Sequence, residues 1–359
     1  MARWIVKHVD QMITETLVLK GLPGSPYTRK MLALLRYRQI PYRLILGGLF
    51  AGSGDVLPKP KVELLPTFYF PDKDGELVAV VDSTPIIRQL ETLYPDRSVI
   101  PPSPLVRFLD YLLEDYADEW LTKAMFHYRW RYKADIDKAG AILPRWKSLT
   151  ATDEELIPIT ASVKKRQISR LHVVGSNDVT AVVIEESYKR FLRLMSAHMN
   201  QSPFVFGQRP GACDFALYGQ LSQLATFDPT PMAVAEEQAT RVVAWVGIMD
   251  DLSGLEPCDT DWVGSDALPN SLKEIFSEVG RVHVPALLAN AKSIDDGDKQ
   301  VETEIDGRLW VQKPFPYQAK CLQWIRQEFI RLDQSDRSRL LKFLDGTGCE
   351  VLIEDDALR

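Results

Sequence analysis

The sequence predicts a small α/β domain built on a mixed four-stranded sheet, followed by an all-α domain. Three observations lead there. Strand-type and helix-type periodicities alternate through the N-terminal part. A proline-dense stretch, YPDRSVIPPSP from Tyr94 to Pro104, then interrupts the chain. Beyond it strand signals are scarce and amphipathic helical stretches dominate.

Thr16–Lys20 is the first strand, and the turn GLPGS leads from it into a helix from Pro26 to Gln39. Tyr27, Met31, Leu34 and Leu35 recur on one face of that helix, and Ile40-Pro41 stops it. Tyr42–Leu46 reads as a second strand, giving a βαβ unit with parallel strands. GGLFAGSGDVLPKPK, Gly47–Lys61, reads as a surface loop. Thr67–Phe70 and Leu77–Val81, separated by PDKDG, read as a β-hairpin. Asp82-Ser83-Thr84-Pro85 opens a helix whose apolar face is Ile86, Ile87, Leu90 and Leu93. Past the linker, helices are expected over Arg107–Tyr132, Asp153–His172, Val179–Met199, Phe215–Leu224 and Ala239–Leu252. From Ser253 the chain reads as loop-rich, with a helix from Ser271 that Pro285 should end or kink. A hairpin around Asp306-Gly307 and helices at Tyr317–Leu332 and Asp336–Leu344 follow. The expected division is a domain over 14–95, a linker over 96–104, a helical domain over 105–255 and an extension over 256–359 packing on the helical domain.

Composition narrows the function. Lys and Arg number 43 against 49 Asp and Glu, a net charge of −6, which argues against nucleic acid or an anionic membrane as the main partner. No stretch approaches the ~20 apolar residues that span a bilayer, and the N-terminus lacks the apolar core of a signal peptide. The four cysteines have no CxxC spacing and the five histidines no ligand spacing, so no metal and a reduced, cytoplasmic setting are expected.

Four local motifs, in this order and at these distances, resemble those of the glutathione S-transferase superfamily over Thr16–Gly254. Ser25-Pro26-Tyr27 looks like the Ser-Pro-Phe or Cys-Pro-Phe turn of tau-, zeta- and omega-type members. Leu65-Pro66-Thr67 looks like the cis-proline segment before the third strand. Asp82-Ser83 matches the acid–serine pair that binds the γ-glutamyl end of glutathione. GQRPGACDFA, Gly207–Ala216, resembles the family's capping box and hydrophobic staple, with Gly211 where Ser or Thr is usual. The basic residue that many members place two positions before the proline is replaced by Leu64; the nearest lysines are Lys59 and Lys61.

The resemblance implies a thioredoxin-like glutathione-binding domain followed by an all-α glutathione-transferase domain, with glutathione as co-substrate. Ser25, Leu65, Pro66, Asp82 and Ser83 are then its binding residues, and Ser25 the catalytic one. A free thiol has a pKa of about 8.5, and lowering it by about 2 units requires roughly 2.7 kcal/mol. A hydroxyl donor and a helix N-terminus can supply that. On the residues alone Ser25 is equally a helix cap, and Tyr27 is either a rival thiol donor or part of the core. FHYRWRY, Phe126–Tyr132, places Tyr128, Arg129 and Tyr132, with Tyr27, as candidates for the electrophile pocket; core packing is the plainer reading. Asp110, Glu114, Asp115, Asp118 and Glu119 form an acidic face, either solvated or directed to a partner subunit. WVQKPFPYQAKCLQW, Trp310–Trp324, is expected to fold back over the helical domain. The resulting expectation is a homodimeric detoxification transferase that joins glutathione to a small hydrophobic or aromatic electrophile. The alternative is a non-catalytic binding or assembly protein that acts through the extension.

Overall fold

The computed structural model describes residues 16–46 and 57–353. The expected Gly-rich loop lies outside them from Gly47 to Val56, as does the chain up to Glu15.

The sheet has the order β2-β1-β3-β4, from β1 (Leu17–Lys20), β2 (Tyr42–Ile45), β3 (Thr67–Pro71) and β4 (Leu77–Val80). β1 runs parallel to β2, with Leu19 opposite Leu44, and antiparallel to β3, with Leu19 opposite Phe68. Leu17 and Leu19 are buried while Lys20 is exposed, the alternation of a strand with one face on a core. Helices α1 (Pro26–Tyr37) and α2 (Ser83–Leu93) supply that core through Met31, Leu34, Leu35, Ile86, Ile87 and Leu90. This is the thioredoxin-like arrangement. The linker is tied on both sides. Glu91 pairs with Arg38 at 2.8 Å and accepts from Val99 N at 3.1 Å, while Ala212 N donates to Val99 O at 2.9 Å.

The helical part begins with a rod. α3 (Pro104–Tyr116) passes through a π-helical turn, Ala117–Leu121, into α4 (Thr122–Arg131). α5 (Lys133–Lys147) and α6 (Asp153–Ile168) pair beside it, and a short 3₁₀ turn, Leu171–Val174, leads to α7 (Ala181–His198). α8 (Ala212–Leu224) is buried along its whole length, packed on α1 and the rod. At Gly219 a Cβ would stand 2.6 Å from Pro26 O and 3.0 Å from the Cβ of Lys30, so glycine sets how closely α8 meets α1. α9 (Pro229–Gln238) and α10 (Thr240–Met249) close this part.

The C-terminal segment is more helical than the sequence suggests. α11 (Asn270–Asp295) continues for 26 residues through Pro285 instead of ending there. Val282, Val284, Ala286 and Leu287 are buried on either side of the proline. Burial of both flanks offsets the roughly 3 kcal/mol that an interior proline costs. The hairpin β5 (Val301–Ile305) and β6 (Arg308–Gln312) turns at Asp306 and Gly307, with φ of 54° and 69°. α12 (Pro316–Ile330) and α13 (Gln334–Leu344) lie against α3. Ring contacts join the two parts: Phe108 to Phe329 at 6.1 Å, Tyr116 to His283 at 5.9 Å and Trp120 to Trp310 at 5.3 Å. Asn290 holds the start of α12 in place, donating to Phe315 O at 3.0 Å and accepting from Phe315 N at 2.7 Å.

The cap of α8 departs from the expected box in an instructive way. Asp214 accepts from Gly211 N at 2.9 Å and from Val205 N at 3.0 Å, as the sequence anticipates for its half. The other half comes from α3: Asp110 Oδ1 accepts from Cys213 N at 3.0 Å, as a cap side chain would. A Cβ at residue 211 would stand 2.4 Å from that same oxygen. Gly211 is therefore required by Asp110, and Asp110 replaces the Ser or Thr that Gly211 lacks. Asp110→Ala should destabilise the fold by about 1–2 kcal/mol in urea unfolding. Gly211→Ser should destabilise when made alone and recover part of the loss when combined with Asp110→Ala. Additive losses in the double variant would refute this exchange of roles.

Candidate functional site

A cavity of about 520 Å3 opens where the thioredoxin-like domain, the rod and the C-terminal segment meet. One wall is Tyr27, Val62, Leu64, Leu65, Pro66 and Asp82–Thr84. The rod supplies Tyr111, Asp115, Asp118, Glu119, Thr122 and Lys123, one stripe at helical spacing. Val173 and Val174 add an apolar patch with Arg170 beside it, and Phe315, Tyr317, Gln318, Cys321 and Trp324 close the far side. The Trp310–Trp324 stretch thus folds back and forms part of this cavity.

Ser25 is the N-cap of α1: its Oγ accepts from Thr28 N at 3.2 Å and donates to Leu65 O at 3.0 Å. The Leu65–Pro66 bond is cis. The hydroxyl therefore ties the α1 turn to the proline segment. Asp82 has φ 85° and ψ 110°, a conformation that non-glycine residues seldom hold. Its carboxylate accepts from the Tyr317 hydroxyl at 2.6 Å. Ser83 begins α2, and its Oγ accepts from Lys30 Nζ at 3.0 Å. Tyr27 donates to Asp118 O at 2.8 Å and so joins α1 to the rod while lining the cavity.

Tyr128, Arg129 and Tyr132 do not line the cavity. Arg129 is 3% exposed; it is clamped on Asp228 at 2.8 Å and Gln223 at 2.7 Å and donates to Gly24 O at 2.8 Å. It braces the turn before Ser25 from behind. Tyr128 is buried, stacked on Tyr132 at 5.8 Å and edge-on to Tyr188 at 5.6 Å. Tyr132 donates to Glu185 at 2.6 Å. Aromatic density marked a core contact here, and a buried guanidinium needs its carboxylate more than a ligand.

The acidic face is interior rather than solvated. Glu114 and Asp110 are fully buried, and Asp118 is 7% exposed. The side chain that organises it is Lys30, itself buried, which pairs with Glu114 at 2.8 Å and Asp118 at 2.6 Å while holding Ser83. Arg88 pairs with Glu114 at 2.9 Å. Burial works against the Glu114 charge, but Arg88 and Lys30 hold its pKa down at about 2. Asp118, desolvated and beside Glu114, is pushed up to about 7 despite Lys30. Burial raises Glu119 to about 8, with Asp115 adding to it, and lowers Lys123 to about 8. The sequence offered a signal for Lys30 that was passed over: a lysine on the apolar side of α1, next to Met31. Among the described residues no group of three or more His, Cys, Asp or Glu is arranged to hold a metal ion, and no helix is long and apolar enough to cross a membrane.

Burial raises the pKa of Asp110, Asp118 and Asp214 to about 7 and of Glu119 to about 8. The folded chain keeps these protons where the unfolded chain, with carboxyl pKa values of about 4, has released them. Their stabilising contribution is complete below about pH 4 and is lost as pH rises through 7 to 8. The urea midpoint should therefore fall from pH 5 to pH 8, and Asp110→Asn should flatten that slope. A midpoint that rises over this window would contradict the burial of these acids.

Residues 19–98 match the glutathione S-transferase N-terminal domain family. Among solved structures the chain is similar to a tau-class glutathione S-transferase from mango, Mangifera indica, at 18% identity over 72% of this chain and 96% of that one, TM-score 0.39. It is also similar to a glutathione S-transferase from Methylobacterium radiotolerans in complex with glutathione sulfonate, at 19% identity over 66% and 95%, TM-score 0.36. A third is maleylacetoacetate isomerase from Anaeromyxobacter dehalogenans with dicarboxyethyl glutathione bound, at 15% identity over 67% and 94%, TM-score 0.34. No curated protein matches the sequence. The matched segment begins within β1, at Leu19, takes in the other three strands and both helices, and reaches into the linker. Residues 19–98 thus form a glutathione S-transferase N-terminal domain.

Proposed function

We propose that the protein binds glutathione in this cavity and activates its thiol for attack on a small electrophile. The observation that carries the reading is that Leu65-Pro66 and Asp82-Ser83, two motifs distant in sequence, line one wall of a single cavity, with the Ser25 hydroxyl bonded to Leu65. The γ-glutamyl carboxylate is held by Ser83 and the free N–H groups that begin α2. Asp82 takes the α-ammonium, and the Leu65 backbone pairs with the cysteinyl residue. Ser25 turns from Leu65 O and donates to the sulfur, with α1's N-terminus favouring the anion. The thiol proton leaves to solvent. The thiolate then forms a carbon–sulfur bond as the electrophile's leaving group, or its π-electron pair, departs from the attacked carbon.

In this reading the protein is a cytoplasmic detoxification enzyme and a homodimer. Because α11, α12 and α13 cover one side of α3, the partner subunit meets another surface. One observation favours the non-catalytic alternative: Tyr317, from the extension, already holds the Asp82 carboxylate that the ammonium would use.

Calorimetry with glutathione, together with ultraviolet absorbance of the bound thiolate against pH, tests the proposal. Wild type should bind and show a thiol pKa below the free value. A hydrogen bond to a charge contributes roughly 1.5–3 kcal/mol, so Ser25→Ala should raise the bound thiol pKa by about 1–2 units with binding largely kept. Ser25→Gly should do the same at a smaller cost to the helix cap. Absence of glutathione binding in wild type would refute the transferase reading and support the alternative. Tyr317→Phe frees Asp82 and should tighten glutathione binding by about fivefold; unchanged affinity would mean that Asp82 does not hold the ammonium.

A further inference from the structure

The rod's cavity stripe holds an unbalanced charge. Each carboxylate on the cavity wall is already engaged: Asp82 by the Tyr317 hydroxyl at 2.6 Å, Asp115 by His283 at 2.7 Å, Asp118 by Lys30 at 2.6 Å and Glu119 by the Gln318 amide at 3.1 Å. Lys123 is the opposite case. It is 2% exposed, lines the cavity, and has neither a hydrogen-bond nor an ion-pair partner among the described residues. Its ammonium rests between the rings of Trp120 and Trp310, at 5.9 and 5.8 Å from their centroids. Arg170, exposed on the cavity's border, likewise has no side-chain partner. Its electrostatic partner on the rod is Glu119, one helical turn back, whose carboxyl burial pushes up to about 8; a ligand that brings an anion within hydrogen-bond distance therefore lowers the cost of keeping this ammonium desolvated.

The position separates Lys123 from the glutathione end. Thr84 donates to Glu114 at 3.0 Å, so the Asp82–Thr84 turn is level with Glu114 on the rod. Lys123 lies nine residues further along, roughly 13 Å at helical rise. The same cavity carries apolar lining, through Val173, Val174, Phe315 and Trp324.

We propose that the cavity's second ligand is a lipophilic carboxylate. Its apolar body lies against Val173, Val174, Phe315 and Trp324, its carboxylate pairs with Lys123, and Arg170 attracts it to the cavity. An amine meets carboxyls that each already hold a protein partner, and a neutral molecule leaves the ammonium without a hydrogen-bonded anion. That this ligand is also the electrophile rests on the glutathione reading above; that it binds does not.

The test is calorimetric titration of the full chain with 4-phenylbutanoate, 4-phenylbutan-1-ol and 4-phenylbutylamine, each with and without glutathione. A hydrogen bond to a charged group corresponds to roughly a 10- to 100-fold gain, so the acid should bind at least about tenfold tighter than the alcohol. The amine should bind most weakly. Lys123→Met should abolish the preference for the acid while leaving alcohol and glutathione affinities unchanged, and Lys123→Arg should retain it. An acid that binds no better than the alcohol, an amine that binds best, or a Lys123→Met variant that loses glutathione rather than the acid would each overturn the proposal. If Lys123→Met does not fold, the three probes on wild type decide the question alone. Acid binding without glutathione binding would sustain this site while refuting the transferase reading.

Discussion

The buried ammonium of Lys30 is the constraint on which the site is built. It lies on α1, yet its three partners are Ser83 at the start of α2 and Glu114 and Asp118 on the rod. One cation therefore fixes three elements that approach each other from different parts of the chain. Removing it would leave Asp118 without its cation and Glu114 with Arg88 alone, and the loss of one partner from such a buried group is worth about 3–5 kcal/mol. The apolar contacts of α1 with α8 exclude water around it, and the missing side chain at Gly219 allows that approach. Charge satisfaction and close packing thus depend on each other here. The same ammonium reaches the Ser83 hydroxyl and Asp118, so the electrostatics of the cavity are set from behind its wall.

Around that anchor the cavity is assembled from three stretches far apart in sequence. The thioredoxin-like domain supplies the polar end, the rod a stripe of titratable groups, and α12 the far side. The C-terminal segment is consequently part of the site. Tyr317 bonds to Asp82, and Gln318 to Glu119, while Asn290 fixes the backbone just before them. Ligands that enter meet carboxyls that already have partners, and a buried ammonium, Lys123, that has no hydrogen-bond partner among the described residues.

The α/β half was legible because its signals are local. Alternation in β1, the turn chemistry of PDKDG and the cap-and-proline opening of α2 each depend on a few neighbouring residues, as does the Asp306-Gly307 hairpin of the C-terminal segment. The helix Lys133–Lys147 was not foreseen; Gly140 and Pro144 lie inside it, and it is stabilised by packing on α4 and α6. The run of α11 through Pro285 likewise reflects tertiary burial that outweighs a local rule. The sequence left the acidic stripe as either solvated or directed to a partner subunit, and its burial was not legible because its counter-charges, Lys30 and Arg88, lie on other elements. The aromatic cluster near Tyr128 was drawn to the pocket by composition, whereas Asp228 and Glu185, its partners, are about 100 and 50 residues away in the sequence. Sequence spacing conveys which side chains share a face, but not which distant element will meet that face.

The cap of α8 has a historical consequence. Position 211 and position 110 exclude each other's commoner states, since a side chain at the first would collide with the carboxylate at the second. A lineage that started from Ser or Thr at 211 could not acquire Asp110 directly. Glycine had to come first, at the few tenths of a kcal/mol that separate it from serine as a cap. The aspartate could then arrive and take over the orphaned Cys213 amide. Thereafter the path back was closed, because restoring the hydroxyl would require giving up the acid in the same step. The two sites form a ratchet, and a shift from the common capping residue to glycine should travel through descendants together with an acid 101 positions upstream.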